Sequence, residues 1–388
     1  MAHNMSGTQH QAKRRYIALD SWRGIAAICV VILHLPFYSH LFCVELFRNA
    51  FLFVDFFFVL SGFVMTHNYY DSIGSPGGLQ LFIWKRVARL WPLHFITTMM
   101  MIVLFLTRET VGHFLGVSRE DSVVTSGIGH FFTSLSLNLL LAQDIWPLNY
   151  NDFNGPSWSI SVEFFTYILF GLVVLKLKAY RGIIWILLSV FGIAVIAKYS
   201  PKFMENQELG IFRSFYGFFL GCLVYQIKGY LTRASTTIEV LAIVIMYITV
   251  SKVGFSGMNM ISPLTFAFVI LVFSKEDGWI SDILKTNAFR ILGTLSYSIY
   301  LNHFFFVLVF RYGRTVVERV LGQDVQIEVV APTIGAVSAT LIGNRWIMDV
   351  MTISFVGLVI GFSFLTYRYL EIPWQSRINK FASAPIRG

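Results

Sequence analysis

Charged residues are scarce in this chain: Asp, Glu, Lys and Arg make up only 13% of its 388 residues, about half the share typical of soluble proteins. Cysteine is also rare, with three residues and no CxxC pair or His/Cys cluster, which argues against a disulfide framework and against a metal site. Hydrophobic residues reach 56%, and the mean hydropathy is +0.65. Apolar runs of about 20 residues recur along the chain, so the sequence predicts an all-α, polytopic membrane protein.

The net charge of +9 would suggest a nucleic-acid partner in a soluble protein, but in a membrane protein it fits the positive-inside bias and an anionic inner leaflet. Basic residues 13–15 precede the first apolar run and resemble the start of a signal peptide. Asp20 and Arg23 interrupt that run, however, and no small-residue cleavage site follows. We therefore expect an uncleaved first helix, and no nucleic acid as a partner.

The apolar runs predict ten membrane spans, at residues 21–40, 52–70, 90–107, 157–175, 182–198, 211–227, 235–252, 260–274, 291–310 and 350–368. Segment 127–142 is apolar but short. If it stays outside the membrane core, most Lys and Arg residues fall in short inner loops, and this bias disappears if it spans. The favoured topology places both termini in the cytoplasm. The predicted units are a disordered cytoplasmic N-terminus (1–15), a membrane domain (16–375) and a cytoplasmic tail (376–388).

The first span carries two ionisable side chains, Arg23 and His34. They are eleven residues apart, and at 100° per residue eleven steps return to within about 20° of the same helix face. Their separation along the helix axis is about 16 Å. Ionisable groups inside a membrane span usually face a cavity, so we expect both residues to line one wall of one cavity at two depths.

Further polar side chains fall inside other predicted spans. Asp55 interrupts a phenylalanine run, and its burial requires either a functional role or a charged partner. Ser61 and Gly62 form a small pair that favours close helix packing over catalysis. Glu163 lies inside the fourth span, five residues after Trp158, as either a functional or a paired buried acid.

The start of the third span and the ninth span add three candidates. Arg86 and Arg89 share one helix face, which fits a charge anchor at the inner membrane surface and also fits a clamp for a polyanion. His303, taken alone, is more typical of a core histidine with satisfied hydrogen bonds. Counting the rise per residue along each span gives two layers, about 16 Å apart. They are a basic layer of Arg23, Arg86 and Arg89, and an acid/base layer of His34, Ser61, Glu163 and His303.

This separation matches the reach of a phosphopantetheine arm. It suits an acyl thioester whose phosphates stay at the basic layer while its acyl group reaches His34. Loop 143–156 is predicted to lie outside, and it carries aromatic side chains among amides and an acid: Trp146, Asn149, Tyr150, Asn151, Asp152, Phe153 and Asn154. These side chains suit a sugar, but they equally suit an interfacial aromatic belt.

Six motifs, in the right order, make the chain resemble the acyltransferase-3 family of integral membrane acyltransferases, which modify bacterial surface glycans and related acceptors. The motifs are an Arg and a His separated by ten residues (Arg23 and His34), VD-FF-xx-SGF (ending at 63), R-x-x-R (86–89), W-S-x-S-x-E (158–163), L-G-x-x-S-Y-x-x-Y-L-x-H (292–303) and E-x-P (371–373). The chain departs from the family where residues 21–22 replace the more common Gly-Leu. No SGNH-type domain follows in this sequence, so one membrane unit is expected to perform the chemistry.

The resemblance implies acyl transfer, commonly of acetyl from acetyl-CoA, to a sugar hydroxyl at the bacterial inner membrane. Acyl-CoA is then a donor substrate, with no permanently bound cofactor, and the acceptor is a carbohydrate or glycolipid. The expected catalytic residues are His34, Glu163 and Asp55. The expected donor-binding residues are Arg23, Arg86, Arg89, Ser61 and Tyr297. The expected acceptor-binding residues are Trp158, His303, Asn302, Asp152 and Tyr150.

His34 is the predicted general base, because imidazole titrates near neutral pH, and Glu163 is expected to orient it or to take part in proton transfer. Acylation of His34 itself is an alternative mechanism. Two other functions stay open from the sequence. One is a transporter or flippase for an anionic lipid-linked glycan, in which His34 and Glu163 form a proton relay. The other is acylation of a small molecule.

Overall fold

The computed structural model describes residues 14–115, 126–199, 209–253, 257–322, 324–331 and 335–382. Helices account for most of these residues. They are α1 (Ile17–His34), α2 (Glu45–Arg48), α3 (Phe53–Tyr69), α4 (Gly78–Leu115), α5 (Ile128–Leu139), α6 (Trp158–Lys176), α7 (Arg181–Tyr199), α8 (Gly210–Ile227), α9 (Thr236–Val253), α10 (Ser262–Phe273), α11 (Trp279–Leu284), α12 (Asn287–Leu321), α13 (Arg345–Thr366) and α14 (Ile372–Ala382). The strands β1 (Gln326–Ala331) and β2 (Gly335–Thr340) form an antiparallel hairpin that the sequence analysis did not predict.

Eight helical segments of the described residues are long and apolar enough to cross a bilayer, which confirms the predicted all-α, polytopic membrane fold. They coincide with eight of the ten predicted spans. The other two predicted spans, 235–252 and 260–274, correspond to α9 and α10. With 12 residues, α10 rises only about 18 Å, so this helix alone is too short for a hydrocarbon core of about 30 Å.

Three predictions remain without a test. The structure contains no membrane, so the cytoplasmic placement of both termini stays a prediction. The proposed domain limits stay predictions as well, and residues 1–13 and 383–388 lie outside the described residues. Segment 127–142 forms α5, whose 12 residues are too short to span the core, as expected from the sequence, but the side on which it lies is a prediction.

The first helix ends earlier than the predicted span of 21–40, because Pro36 follows its last turn. Proline has no backbone N–H, and it disfavours helical torsion angles at the preceding residue. Leu35 is accordingly extended, with φ −71° and ψ 131°. The chain then runs alongside β2, where Phe37 pairs with Thr340. His34 is therefore the last residue of α1 rather than a residue in the middle of a longer helix.

Glycines let the site-bearing helices approach closely. A Cβ atom on Gly24 of α1 would lie 2.5 Å from the Leu292 carbonyl carbon, and one on Gly293 of α12 would lie 2.4 Å from the Asp20 carbonyl oxygen. These distances are far below van der Waals contact, so only glycine fits at both positions. Helices α1 and α12 consequently lie side by side, which brings Arg23 and His34 next to the residues of the 292–303 motif.

Candidate active site

One cavity, which we call the arginine cavity, lies among α1, α3, α4, α6 and α12 and has a volume of about 140 Å³. Its lining includes all five predicted donor-binding residues and one predicted catalytic residue: Arg23, Ser61, Arg86, Arg89, Tyr297 and Glu163. These side chains come from distant parts of the sequence. The structure therefore brings together the set that the sequence analysis selected on separate spans.

The three arginines differ in how their donors are used. Arg23 donates from Nε to Ser296 Oγ at 2.7 Å and from Nη2 to the Gly293 carbonyl oxygen at 2.9 Å. Arg86 donates from Nη2 to the Tyr69 hydroxyl at 2.7 Å, whereas its buried Nε has no hydrogen-bond partner among the described residues. Buried donors are nearly always paired, so this unpaired N–H is unusual, and it belongs to a residue that lines the cavity.

Arg89 is held by a buried carboxylate. Its Nη1 lies 2.5 Å from Oε2 of Glu371, which is 1% exposed and also accepts a hydrogen bond from Ser298. Glu371 ends a five-residue π-helical segment, Tyr367–Glu371, between α13 and α14, and such segments are frequent at functional sites. The E-x-P motif therefore supplies the counter-ion of Arg89. The positive charge of Arg89 is compensated by Glu371 even without a ligand in the cavity.

Glu163 faces the arginine cavity, not His34. Its Oε1 accepts a hydrogen bond from the Tyr167 hydroxyl at 2.6 Å, and that hydroxyl is 2.8 Å from Ser61 Oγ. The orienting role expected of Glu163 is therefore not favoured by this structure, and its part in proton transfer stays a prediction. Counting residues along a span estimates depth but not the direction in which a side chain points, and here the two side chains line different cavities.

A second cavity, which we call the histidine cavity, has a volume of about 220 Å³. Its lining includes His34, Trp158, Arg213 and Phe304. Val54 and Tyr300 line both cavities, so the two adjoin. Arg23 and His34 thus lie at two depths of one helix, as expected, but each lines its own cavity instead of sharing one.

The hydrogen bonds of two histidines indicate which tautomer a neutral His34 adopts. Nδ1 of His303 lies 2.7 Å from the Tyr300 carbonyl oxygen, which only accepts, so this nitrogen carries a proton and Nε2 of a neutral His303 is an acceptor. Nδ1 of His34 lies 3.3 Å from that Nε2 and 2.9 Å from the Val30 carbonyl oxygen. Facing two acceptors, it must carry the proton. Nε2 of neutral His34 is therefore unprotonated, which is the state that a general base requires.

His303 and Asn302, both predicted to bind the acceptor, are fully buried. His303 contacts His34 through the bond described above, so its place is behind the candidate base, where it orients the ring. The side-chain amide of Asn302 donates to Thr366 Oγ1 at 2.9 Å and to Ser363 Oγ at 3.3 Å, which joins α12 to α13. Among the predicted acceptor residues, Trp158 is the one that lines the histidine cavity.

Asp55 forms a buried ion pair with Arg213 of α8. Nη2 of Arg213 lies 3.1 Å from Oδ2 and 3.2 Å from Oδ1, and Nε lies 3.3 Å from Oδ1. The guanidinium group also lies over the Trp158 ring at 5.1 Å. Of the two roles left open for Asp55, this contact favours the structural one. The sequence analysis missed Arg213, although an arginine inside the predicted sixth span was an available signal.

Tyr150 and Asp152 lie against α5 instead of the histidine cavity. Asp152 Oδ2 is 3.1 Å from Nε2 of His130, and the ring of Tyr150 lies 5.3 Å from the ring of His130. The same loop reaches the histidine cavity further along, through Gly155 and Pro156. Its contact with an acceptor stays a prediction, and the loop residues that line the histidine cavity, Gly155 and Pro156, are not the ones selected from the sequence.

A family model described as an acyltransferase domain matches residues 16–343. The chain belongs to this acyltransferase family. "Protein 2 in picA locus" of Rhizobium radiobacter is 35% identical over 154 residues, which are 38% of this chain and 77% of that protein. "Putative peptidoglycan O-acetyltransferase YrhL" of Bacillus subtilis (strain 168) is 27% identical over 334 residues, which are 76% of this chain. The chain spans only 49% of that relative's length. No solved structure matches the chain.

Membership of the family confirms the resemblance carried by the six motifs. Together with the eight apolar helical segments, it makes this chain a multi-pass membrane acyltransferase.

Proposed function

We propose that this acyltransferase moves an acyl group, expected to be acetyl, from cytoplasmic acyl-CoA to a hydroxyl of a sugar in a surface or exported glycan. It would do so in the bacterial inner membrane. The observation that carries the proposal is the position of His34, whose Nδ1 faces two acceptors while its ring lines a cavity next to three arginines, so that Nε2 of the neutral ring is free to act as a base. A neutral imidazole in this position is suited to general-base catalysis.

In the proposed reaction, His34 Nε2 takes the proton of the acceptor hydroxyl as its oxygen attacks the thioester carbonyl carbon. The new C–O bond replaces the C–S bond. The imidazolium then returns its proton to the departing CoA sulfur, so that the base is regenerated and the protons balance. Arg213 lines the same cavity, but Asp55 already neutralises its charge, as Glu371 neutralises that of Arg89.

Two geometric features support an acyl-CoA donor. Arg23 and His34 are eleven residues apart on one regular helix, a rise of about 16 Å, which is about the reach of a phosphopantetheine arm. The arginine cavity, which is lined by three arginines, then receives the phosphate end of this arm. The intervening boundary at Val54 and Tyr300 has to open for the arm to reach His34.

The structure limits the identity of the acceptor less than that of the donor. The histidine cavity of about 220 Å³ holds about seven waters at roughly 30 Å³ each, which is room for one sugar ring or one acyl group rather than a chain. Trp158 and Phe304 offer aromatic faces there. The name of the Bacillus subtilis relative points to a cell-wall glycan, and the family as a whole supports a sugar hydroxyl.

The test is acyl transfer by the purified protein in detergent, with acetyl-CoA and a glycan fraction, followed by mass spectrometry of the glycan. His34→Gln keeps the size and polarity of the side chain but removes the base, so transfer should fall about 10²–10⁴-fold while acyl-CoA still binds. His113→Gln is the matched control, because His113 is exposed near the end of α4. Near-normal transfer by His34→Gln contradicts the role of His34, and no acylated product from the unaltered protein contradicts the proposed function.

A further inference from the structure

The structure contains a third and much larger cavity, which we call the tryptophan groove, between the start of α4 and α14. Its volume is about 710 Å³. Its lining combines aromatic and basic side chains, and the members used below are Tyr69, Trp84, Lys85, Trp374 and Arg377. Neither the six motifs nor the general-base mechanism uses this groove.

Side chains from the two helices face each other across the groove. Trp374 and Arg377 lie three residues apart on α14, so they share one face of that helix. Trp84 and Lys85 come from α4 on the other side. The indole groups are not packed away, since Trp84 is 48% and Trp374 is 40% exposed. Exposed indoles beside cationic groups provide stacking surfaces and phosphate ligands in one place.

A hydrogen bond joins the tryptophan groove to the arginine cavity. Tyr69 lines the groove, and its hydroxyl accepts from Nη2 of Arg86 at 2.7 Å. Arg86 also lines the arginine cavity. The guanidinium group also lies 5.0 Å from the Tyr69 ring centroid. The tryptophan groove therefore adjoins the arginine cavity at Tyr69 and Arg86. The histidine cavity adjoins the arginine cavity elsewhere, at Val54 and Tyr300.

The sizes of the cavities decide which part of a donor each can hold. The arginine cavity, at about 140 Å³, has space for about five waters at roughly 30 Å³ each, which fits a narrow chain but not a nucleotide. The groove is about five times larger and lies in the range of about 300–1,000 Å³ that is typical of small-molecule sites. A donor with a bulky anionic end and a thin arm fits these cavities, with the bulky end in the groove and the arm in the arginine cavity.

We propose that the tryptophan groove binds the phosphorylated adenosine end of the acyl donor, with the base against Trp374 or Trp84 and the phosphates at Lys85, Arg377 and Arg86. This inference rests on the proposed function, because it assumes a CoA thioester as donor. It adds a nucleotide site on α14 and moves most of the phosphate recognition away from Arg89, which Glu371 already neutralises.

The experiment compares two donors on the full-length protein in detergent: acetyl-CoA, and S-acetylpantetheine, which lacks the nucleotide and the phosphates. Arg377→Ala and Trp374→Ala should each raise the KM for acetyl-CoA about tenfold while kcat changes less than twofold. Both variants should use S-acetylpantetheine as well as the unaltered protein does. Arg368→Ala is the matched control, because it removes an exposed arginine nearby that does not line the groove.

Calorimetric titration with adenosine 3′,5′-bisphosphate tests the groove without depending on turnover. Binding to the unaltered protein and to Arg368→Ala, with about tenfold weaker binding to Arg377→Ala, supports the proposal. Unchanged nucleotide binding and an unchanged KM for acetyl-CoA in both groove variants overturn it. An equal loss of activity with acetyl-CoA and with S-acetylpantetheine also overturns it, because the groove would then be structural or a site for a lipid headgroup. Nucleotide binding without any acyl transfer would instead refute the proposed function and leave the groove as a nucleotide site.

Discussion

Breaking the ion pair between Asp55 and Arg213 should destabilise the protein. Asp55 is fully buried and Arg213 is 2% exposed. Removing one partner of a buried pair leaves the other charge uncompensated, at a cost of about 3–5 kcal/mol. An unfolding entropy of about 2.1 cal/mol/K per residue gives about 0.8 kcal/mol/K for 388 residues, so Asp55→Asn should lower Tm by about 4–6 °C.

The assay is thermal unfolding in detergent, followed by tryptophan fluorescence, for both single variants and for Asp55→Leu combined with Arg213→Met. Replacing a buried pair by apolar side chains is often neutral, so the double variant should recover most of the lost Tm. Asp282→Asn is the control, because Asp282 pairs with Lys285 at the surface with 67% of its side chain exposed. An exposed pair contributes about 0–1 kcal/mol, so Tm should change by about 1 °C or less.

Two results would refute this reasoning. If Asp55→Asn unfolds at the normal temperature but transfers acyl groups at least about a hundredfold more slowly, Asp55 acts in the chemistry, as the sequence analysis first expected. If the double variant is as unstable as the single ones, the contact between the two side chains is not what stabilises α3 against α8.

Two further predictions concern packing and topology. Gly62→Ala should prevent recovery of folded protein, because the added Cβ would lie 1.8 Å from the Phe218 carbonyl oxygen. Gly74→Ala, whose added Cβ would have nothing within 4 Å, should purify normally. Equal yields of monodisperse protein from the two variants would contradict this prediction. In a Cys43→Ser background, a cysteine at Ser126 should react with an impermeant thiol reagent in intact cells. Labelling only after permeabilisation would place segment 127–142 on the inner side.

Much of the site could be predicted because its helices are regular. The relation between Arg23 and His34 follows from 100° per residue along α1, whereas the predicted span of 21–40 overlooked Pro36, which ends the helix at His34. The partner of Asp55 could not be read in this way. Arg213 lies 158 residues later in the sequence, and spacing along one helix does not show which helices will touch.

Depth counting failed for Glu163 for a related reason. A rise of 1.5 Å per residue gives the height of a side chain in the membrane but not the rotation of its helix, and rotation decides which cavity it lines. The neutralisation of Arg89 was equally hidden. It depends on the π-helical segment that ends at Glu371, and a change of helical type over only five residues leaves no periodicity to detect.

The division of the site into two cavities bears on how a thioester escapes hydrolysis. Tyr300 lines both cavities, and its hydroxyl is 2.9 Å from Ser159 Oγ and 3.0 Å from the Pro156 carbonyl oxygen. In the proposed reaction the donor arm approaches from the arginines, whereas the acceptor meets His34 in the other cavity. A permanently open passage would offer water the same base and the same carbonyl carbon. In the proposed reaction, a closed boundary at Val54 and Tyr300 keeps the thioester away from His34 until the donor arm moves these two side chains apart. The binding energy of the donor then offsets the free energy of opening the boundary.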